Sequence, residues 1–118
     1  ILVDVRSRTE FDYVGHAPVA INVPWQDAPS WEVNPEFVQM VREKLQSSGR
    51  GRTPAEEQTV LAICRSGARS MAAGLALKQA GFRNVLNVAE GFEGSLDAEK
   101  HRGNINGWRF HKLPWEQT

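Results

Sequence analysis

Short apolar runs alternate with amphipathic stretches along the 118-residue chain. Residues 1–5 form an apolar run rich in β-branched side chains, and residues 59–63 are apolar at successive positions, as buried parallel strands are. Residues 19–23 and 85–88 carry the same signal. The pattern predicts four strands separated by helical segments.

The first two helices are predicted from their amino-terminal signals. Ser7 and Glu10 have the spacing of a capping box, which predicts a short helix beginning near Phe11. Residues 34–36, Asn-Pro-Glu, supply an N-cap, a proline at the first helical position and an acid in the first turn. The helix that follows them is expected to end near Gly49.

A third helix is predicted over residues 70–80, with Met71, Leu75 and Ala76 or Leu77 facing the core. Alternation of buried strands with helices predicts an α/β domain with a mostly parallel sheet flanked by helices. Ligands of such sheets bind beyond the carboxyl ends of the strands. Cys64 directly follows the strand at 59–63 and therefore lies at such a position.

Composition describes a soluble globular protein. The 14 basic and 14 acidic residues cancel, which argues against nucleic acid or an acidic membrane surface as the main partner. No apolar run approaches the roughly 20 residues of a membrane-spanning helix. We expect one domain over residues 1–118, and the start at Ile1 without an initiator methionine indicates that upstream residues are missing.

Cys64 is the single cysteine, which excludes an intramolecular disulfide and a multi-cysteine metal site. His101 and His111 have no acid or cysteine at the spacing of metal ligands. We therefore expect neither a metal nor a cofactor. A lone reactive thiol favours a reducing compartment, the cytoplasm.

The loop after the third strand carries the chemistry. It reads Cys-Arg-Ser-Gly-Ala-Arg from Cys64 to Arg69 and leads directly into the third helix. A helix start presents unpaired N–H groups and partial positive charge, and Gly67 allows the loop to curl further amides towards one point. Arg65 and Arg69 add positive charge beside the sulfur. All of these effects favour a nucleophilic thiolate and an anionic substrate.

An ordered set of motifs runs along nearly the whole chain. The motifs occupy residues 2–6 (LVDVR), 10–11 (EF), 15–16 (GH), 20–24 (AINVP), 64–70 (CRSGARS), 72–73 (AA), 80–82 (AGF), 87–88 (NV), 90–94 (EGFEG), 107–108 (GW) and 113–115 (LPW). Each motif is weak alone, but the ordered set resembles the rhodanese-like sulfurtransferases. The chain departs from that pattern at Val19, where the family often has glycine before Ala-Ile-Asn.

The resemblance implies a three-layer α/β domain that transfers a sulfane sulfur from thiosulfate or a related anion. Cys64 would attack the outer sulfur, release sulfite and carry a persulfide. Cyanide, a small thiol or a protein thiol would then accept the sulfur. The arginine side chains at both ends of the loop would recognise the sulfonate. The residues expected to bind the substrate are Arg65, Ser66, Gly67, Ala68 and Arg69.

Other conspicuous residues are expected to be structural. Asp4 and Arg6 match a family signature and are interpreted as bracing the loop or pairing with Glu10. His16 is interpreted as a turn histidine, and packing explains the large aromatics Trp25 and Trp108.

Two alternatives remain open. The first is a non-catalytic or regulatory interaction module, although the cysteine and both loop arginines are present. The second is a phosphatase or arsenate reductase. Four residues separate Cys64 from Arg69, one fewer than in cysteine-dependent phosphatases. The smaller ring of amides is expected to suit a terminal sulfur and to exclude a phosphoryl group.

Overall fold

A parallel sheet forms the centre of the computed structural model, which describes residues 1–47 and 53–118. Within these residues the sheet has four strands in the order β2-β1-β3-β4, and every neighbouring pair is parallel. The strands are β1 (Leu2–Asp4), β2 (Ile21–Asn22), β3 (Thr59–Ile63) and β4 (Asn84–Asn87). The predicted parallel α/β architecture is confirmed.

The capping box predicted at Ser7 and Glu10 is present. The Glu10 N–H donates to the Ser7 hydroxyl at 3.2 Å, and the Ser7 N–H donates to the Glu10 carboxylate at 3.2 Å. The segment that follows winds as a π-helical turn over Glu10–Val14. A short 3₁₀ turn over Ala55–Glu57 precedes β3.

Helix α1 (Phe37–Gln46) begins slightly later than its sequence signals indicate. Asn34 accepts a hydrogen bond from the Glu36 N–H at 3.0 Å, which folds residues 34–36 into a turn before the helix. The predicted stop at Gly49 lies outside the described residues.

Helix α2 (Ala68–Gln79) starts two residues before its predicted position, and of its predicted core positions only Leu77 is buried. Met71 and Leu75, predicted to be buried, are each 53% exposed. A Cβ on Gly74 would lie 3.3 Å from the Val85 side chain, so the helix approaches β4 too closely for large side chains between them. The buried residues of the helix are Ser70, Ala73, Gly74 and Leu77.

Both faces of the sheet are covered. Val3 and Val5 belong to a cluster with residues of α1 and α2, whereas Leu2 and Ile63 pack with Phe92 on a second cluster. The carboxyl-terminal segment 91–118 is built of turns and loops and covers this second cluster, as predicted. In residues 1–47 and 53–118, no helix has the length and hydropathy needed to cross a bilayer.

Candidate active site

Two glycines allow the loop between β3 and α2 to pack tightly against the chain after β4. Gly67 has a φ of +108°, and a Cβ there would lie 2.3 Å from the carbonyl oxygen of Ala89. Gly91 has a φ of +72°, and a Cβ there would lie 2.4 Å from the carbonyl oxygen of Arg65. Side chains at either position would clash with backbone, so these glycines set the curvature of the loop.

Cys64 lies at the carboxyl end of β3 with its sulfur turned towards the start of α2. The residue is 1% exposed, the Gly67 N–H donates to Sγ at 3.1 Å, and the Ser70 hydroxyl lies 3.2 Å from Sγ. Burial raises the pKa of Cys64, but hydrogen bonds from the Ser70 hydroxyl and from the amides of Ser70, Gly67 and Ser66 outweigh it. The net effect lowers the pKa below the ordinary value of 9.0.

Ser70 and Asn87 complete the sulfur's surroundings and were not assigned to the site from the sequence. The Ser70 hydroxyl also contacts the Asn87 side-chain oxygen, and the Asn87 amide donates to the Gly67 carbonyl at 3.2 Å. A hydroxyl has one proton, so Asn87 and a thiolate on Cys64 compete for it. The Gly67 amide is therefore the steadier donor to the sulfur. The sequence did hold a signal for Ser70, because this hydroxyl lies in the first turn of the helix that follows the cysteine.

The two loop arginines have different surroundings. The Arg69 guanidinium forms a bidentate pair with Glu10 at 2.7 and 2.8 Å, and each side chain is 20% exposed. Burial raises the pKa of Glu10, but the hydrogen bond and charge of Arg69, aided by Ser7, outweigh it and hold the pKa at about 2. The Glu10 hydrogen bond raises the pKa of Arg69. Arg65 is exposed and forms no ion pair within the part of the chain that the structure describes.

The remaining loop residues lie between these arginines. Ser66 is half-buried, Gly67 is buried, and Ala68 is exposed as the first residue of α2. The structure thus brings the predicted loop residues together around Cys64, with Gly67 in direct contact with the sulfur.

Asp4 and Arg6 pair with each other beneath the site, and the suggested pairing with Glu10 is wrong. Arg6 donates to the Asp4 carboxylate from Nε at 3.0 Å and from Nη2 at 2.6 Å, and Nη2 also reaches the Gly15 carbonyl at 2.7 Å. Both residues are buried, and the guanidinium stacks 4.5 Å from the Phe92 ring centroid. The pair ties β1 to the chain at Gly15 and to the covering segment.

His16 and Trp25 have packing roles. His16 stacks on the Phe11 ring with centroids 3.7 Å apart, and its Nδ1 lies 2.8 Å from the Phe11 carbonyl. Trp25 meets Phe37 edge-on at 5.2 Å. Trp108 is partly buried against the second core cluster.

A cavity of about 510 Å³ opens beside the loop. Three guanidiniums and two carboxylates line it, together with an amide and an indole that the sequence did not indicate. Its lining residues are Glu10, Gln26, Trp31, Arg65, Arg69, Glu93 and Arg102. Among the described residues, no group of three or more histidine, cysteine or acidic side chains could hold a metal ion.

Comparison with known proteins agrees with this architecture. The family model of the rhodanese-like domain matches residues 1–98. An uncharacterized protein of Rickettsia conorii is 30% identical over 120 residues, covering 98% of this chain and 81% of the relative. Thiosulfate sulfurtransferase 16, chloroplastic, of Arabidopsis thaliana is 36% identical over 92 residues, covering 76% of this chain and 68% of the relative.

Solved structures show the same fold. A crystal structure from M. tuberculosis superposes with a TM-score of 0.79 at 36% identity, covering 100% of this chain and 84% of that one. A rhodanese with anions from E. coli superposes with a TM-score of 0.57 at 20% identity, covering 99% and 96%. From the family match, the parallel sheet and the cysteine loop at its carboxyl edge, we conclude that the chain belongs to the rhodanese-like domain family.

Proposed function

We propose that the protein is a sulfurtransferase that moves a sulfane sulfur from thiosulfate, or a related anionic donor, to an acceptor through a persulfide on Cys64. The observation that supports this most directly is the surroundings of the Cys64 sulfur. The Gly67 N–H and the Ser70 hydroxyl lie 3.1 and 3.2 Å from Sγ at the amino end of α2. Such donors stabilise a thiolate, which is the nucleophile that the reaction needs.

The first half-reaction forms the persulfide. The Cys64 thiolate attacks the outer sulfur of thiosulfate and forms a new S–S bond. The bond between the outer sulfur and the sulfonate sulfur breaks, and its electron pair leaves with sulfite. The charge that was on Sγ thus leaves with sulfite, and the terminal sulfur keeps its own negative charge, which the loop amides and the positive end of α2 can stabilise.

The second half-reaction regenerates the thiolate. Cyanide or a thiolate attacks the terminal sulfur of the persulfide, and the S–S bond to Cys64 breaks. Its electron pair returns to Sγ, where the hydrogen bond donated by the Gly67 N–H again stabilises the negative charge. Neither half-reaction requires an external oxidant or reductant. A reducing compartment such as the cytoplasm suits a mechanism that depends on an unoxidised thiol.

Arg65 and Arg69 have separate roles in this proposal. Arg65 is exposed beside the loop, so its guanidinium can pair with the sulfonate oxygens of the donor. Arg69 is already paired with Glu10, whose negative charge offsets that of the guanidinium, so its part is to tie the loop to the π-helical turn.

Loading with thiosulfate tests the proposal. Wild-type protein incubated with thiosulfate and freed of excess donor is expected to gain the mass of one sulfur atom on Cys64. Cys64→Ser is expected to gain none and to retain less than about one per cent of the turnover with cyanide, since a hydroxyl of ordinary pKa is not ionised. Thermal melting of both proteins checks that the variant is folded.

Other outcomes decide between the functional classes. A wild-type protein that gains no sulfur from thiosulfate or from an uncharged persulfide donor would be a non-catalytic module. Hydrolysis of an aryl phosphate at a rate comparable to sulfur transfer, lost in Cys64→Ser, would instead identify a phosphatase.

A further inference from the structure

The cavity beside the loop is larger than the donor needs. Its volume of about 510 Å³ lies within the roughly 300–1,000 Å³ of small-molecule sites. Thiosulfate is a small tetrahedral anion, and cyanide is smaller still. Lining residues beyond the loop therefore face space that neither molecule fills.

Trp31 is held at this cavity in an unusual backbone conformation. Its φ is +58°, a region that residues other than glycine rarely occupy, and its side chain is 49% exposed. The Trp31 N–H donates to the Asp27 carbonyl at 2.9 Å, and the Gln26 side chain donates to the Trp31 carbonyl at 2.9 Å. A bridge between Gln26 and Val33 closes the loop. The strain is thus maintained by surrounding contacts, and it keeps an apolar ring at the cavity.

Arg102 supplies a positioned cation to the same cavity. Its Nη1 donates to the Gly94 carbonyl at 2.7 Å, which holds the half-buried side chain in place. Within residues 1–47 and 53–118, Arg102 forms no ion pair, in contrast to Arg69. Glu93 also lines the cavity, and three guanidiniums against two carboxylates leave it net positive.

We infer that Trp31 and Arg102 select the sulfur acceptor, and that this acceptor is a small thiol carrying a carboxylate. The carboxylate would pair with Arg102 while the carbon chain lies against the indole of Trp31. This inference rests on the proposed function and names the acceptor class for the same site. Cyanide has neither a carboxylate to pair with Arg102 nor a carbon chain to pack against Trp31, so these two residues do not favour its binding.

The step itself balances without a further reactant. The acceptor thiol gives its proton to the terminal sulfur of the Cys64 persulfide anion, and the resulting thiolate attacks that sulfur, forming the acceptor persulfide. The S–S bond to Sγ breaks, and its electron pair leaves Cys64 as a thiolate. The cavity contributes by orienting the incoming thiol.

The discharge reaction can be measured alone. Protein loaded from thiosulfate and freed of donor is mixed with 3-mercaptopropionate or with its methyl ester, and loss of the persulfide is followed by rapid quench and intact mass. Comparing the acid with the ester isolates the carboxylate on one carbon skeleton. Wild type is expected to favour the acid. Arg102→Gln, which keeps a donor for the Gly94 carbonyl, is expected to lower the acid-to-ester preference about fivefold or more.

Matched variants complete the test. Arg102→Lys restores the charge and is expected to recover most of the preference. Arg83 is an exposed arginine at the amino end of β4, whereas the cysteine loop lies at the carboxyl ends of the strands. Arg83→Ala is therefore expected to leave the acid-to-ester preference unchanged. Trp31→Ala is expected to slow discharge by both thiols more than discharge by cyanide, which has no carbon chain to lie against the indole.

The outcomes separate the two proposals. A persulfide that forms normally but shows the same acid-to-ester preference in wild type and Arg102→Gln would overturn the acceptor inference and leave the sulfurtransferase intact. Absence of any persulfide in wild type would overturn both. One further measurement needs no variant. The acid-to-ester preference of the wild-type protein must fall as added salt screens the pairing of the carboxylate with Arg102, and a preference that does not depend on salt would contradict the role of Arg102.

Discussion

Replacing Ser70 with alanine should raise the pKa of Cys64. The Ser70 hydroxyl lies 3.2 Å from Sγ and is the leading contribution that lowers this pKa. A hydrogen bond to a charged group contributes about 1.5–3 kcal/mol, and one pKa unit corresponds to about 1.4 kcal/mol. Full loss would raise the pKa by about one to two units. Because Asn87 competes for the same proton, we expect a rise of about one unit.

The pH dependence of alkylation measures this change directly. Cys64 is the single cysteine, so the addition of iodoacetamide followed by intact mass reports one thiolate. The midpoint of the rate against pH is the quantity to compare, because thiolate nucleophilicity itself changes with pKa. In Ser70→Ala the midpoint should move upward by about one unit.

Folding and specificity controls accompany this measurement. Ser70 is buried, and its loss leaves the Asn87 oxygen without this partner, which should destabilise the protein by about 1–3 kcal/mol. Thermal melting shows whether the variant remains folded at the temperature of the assay. Ser95→Ala, at an exposed position outside the helices and strands, should leave the alkylation midpoint unchanged. A midpoint in folded Ser70→Ala equal to or below that of wild type would refute the assigned role of the hydroxyl.

Two further predictions concern the loop and its anchor. Gly67→Ala should destabilise the protein by about 1–3 kcal/mol and abolish sulfur loading, because at a φ of +108° the new Cβ would lie 2.3 Å from the Ala89 carbonyl oxygen. Urea unfolding with an unchanged midpoint would contradict it. The pKa of Glu10 is lowered from 4.5 to about 2, so the stabilisation from its pair with Arg69 is complete above pH 4.5 and is lost as pH falls towards 2. Between pH 4.5 and pH 2, Glu10→Gln should therefore lose less stability than the wild-type protein does. If the urea midpoints of both proteins fell equally over this pH interval, the Glu10–Arg69 pair would not contribute to the acid sensitivity.

Local signals in the sequence determined much of the fold. The apolar run at 59–63 coincides with β3, because successive apolar residues suit a strand buried on both faces. Ser7 and Glu10 form their capping box because both partners lie within one turn. Cys64 follows a buried strand and precedes a helix, and this order by itself predicts that it lies at the carboxyl edge of the sheet.

The tertiary structure decided what depends on residues distant in the chain. Met71 and Leu75 of α2 were wrongly expected in the core because an alanine-rich helix has a weak apolar stripe, and the close approach of Gly74 to Val85 selects which residues are covered. Glu10 and Arg69 are 59 residues apart, so their pairing, which occupies a guanidinium expected for the substrate, follows only from the packing of the π-helical turn beside the loop.

The lining of the cavity also depends on residues that are distant in the chain. Trp31 and Arg102 belong to separate loops, and neither carries a local motif that marks it as part of a site. Folding brings both beside the cysteine loop, because the segments that hold them are fixed by contacts at Gln26 and Gly94. The sequence alone indicated Cys64 as the candidate nucleophile, since a helix start and two neighbouring arginines favour the thiolate over the thiol. Which partners surround that atom was decided by long-range packing, which no single stretch of sequence encodes.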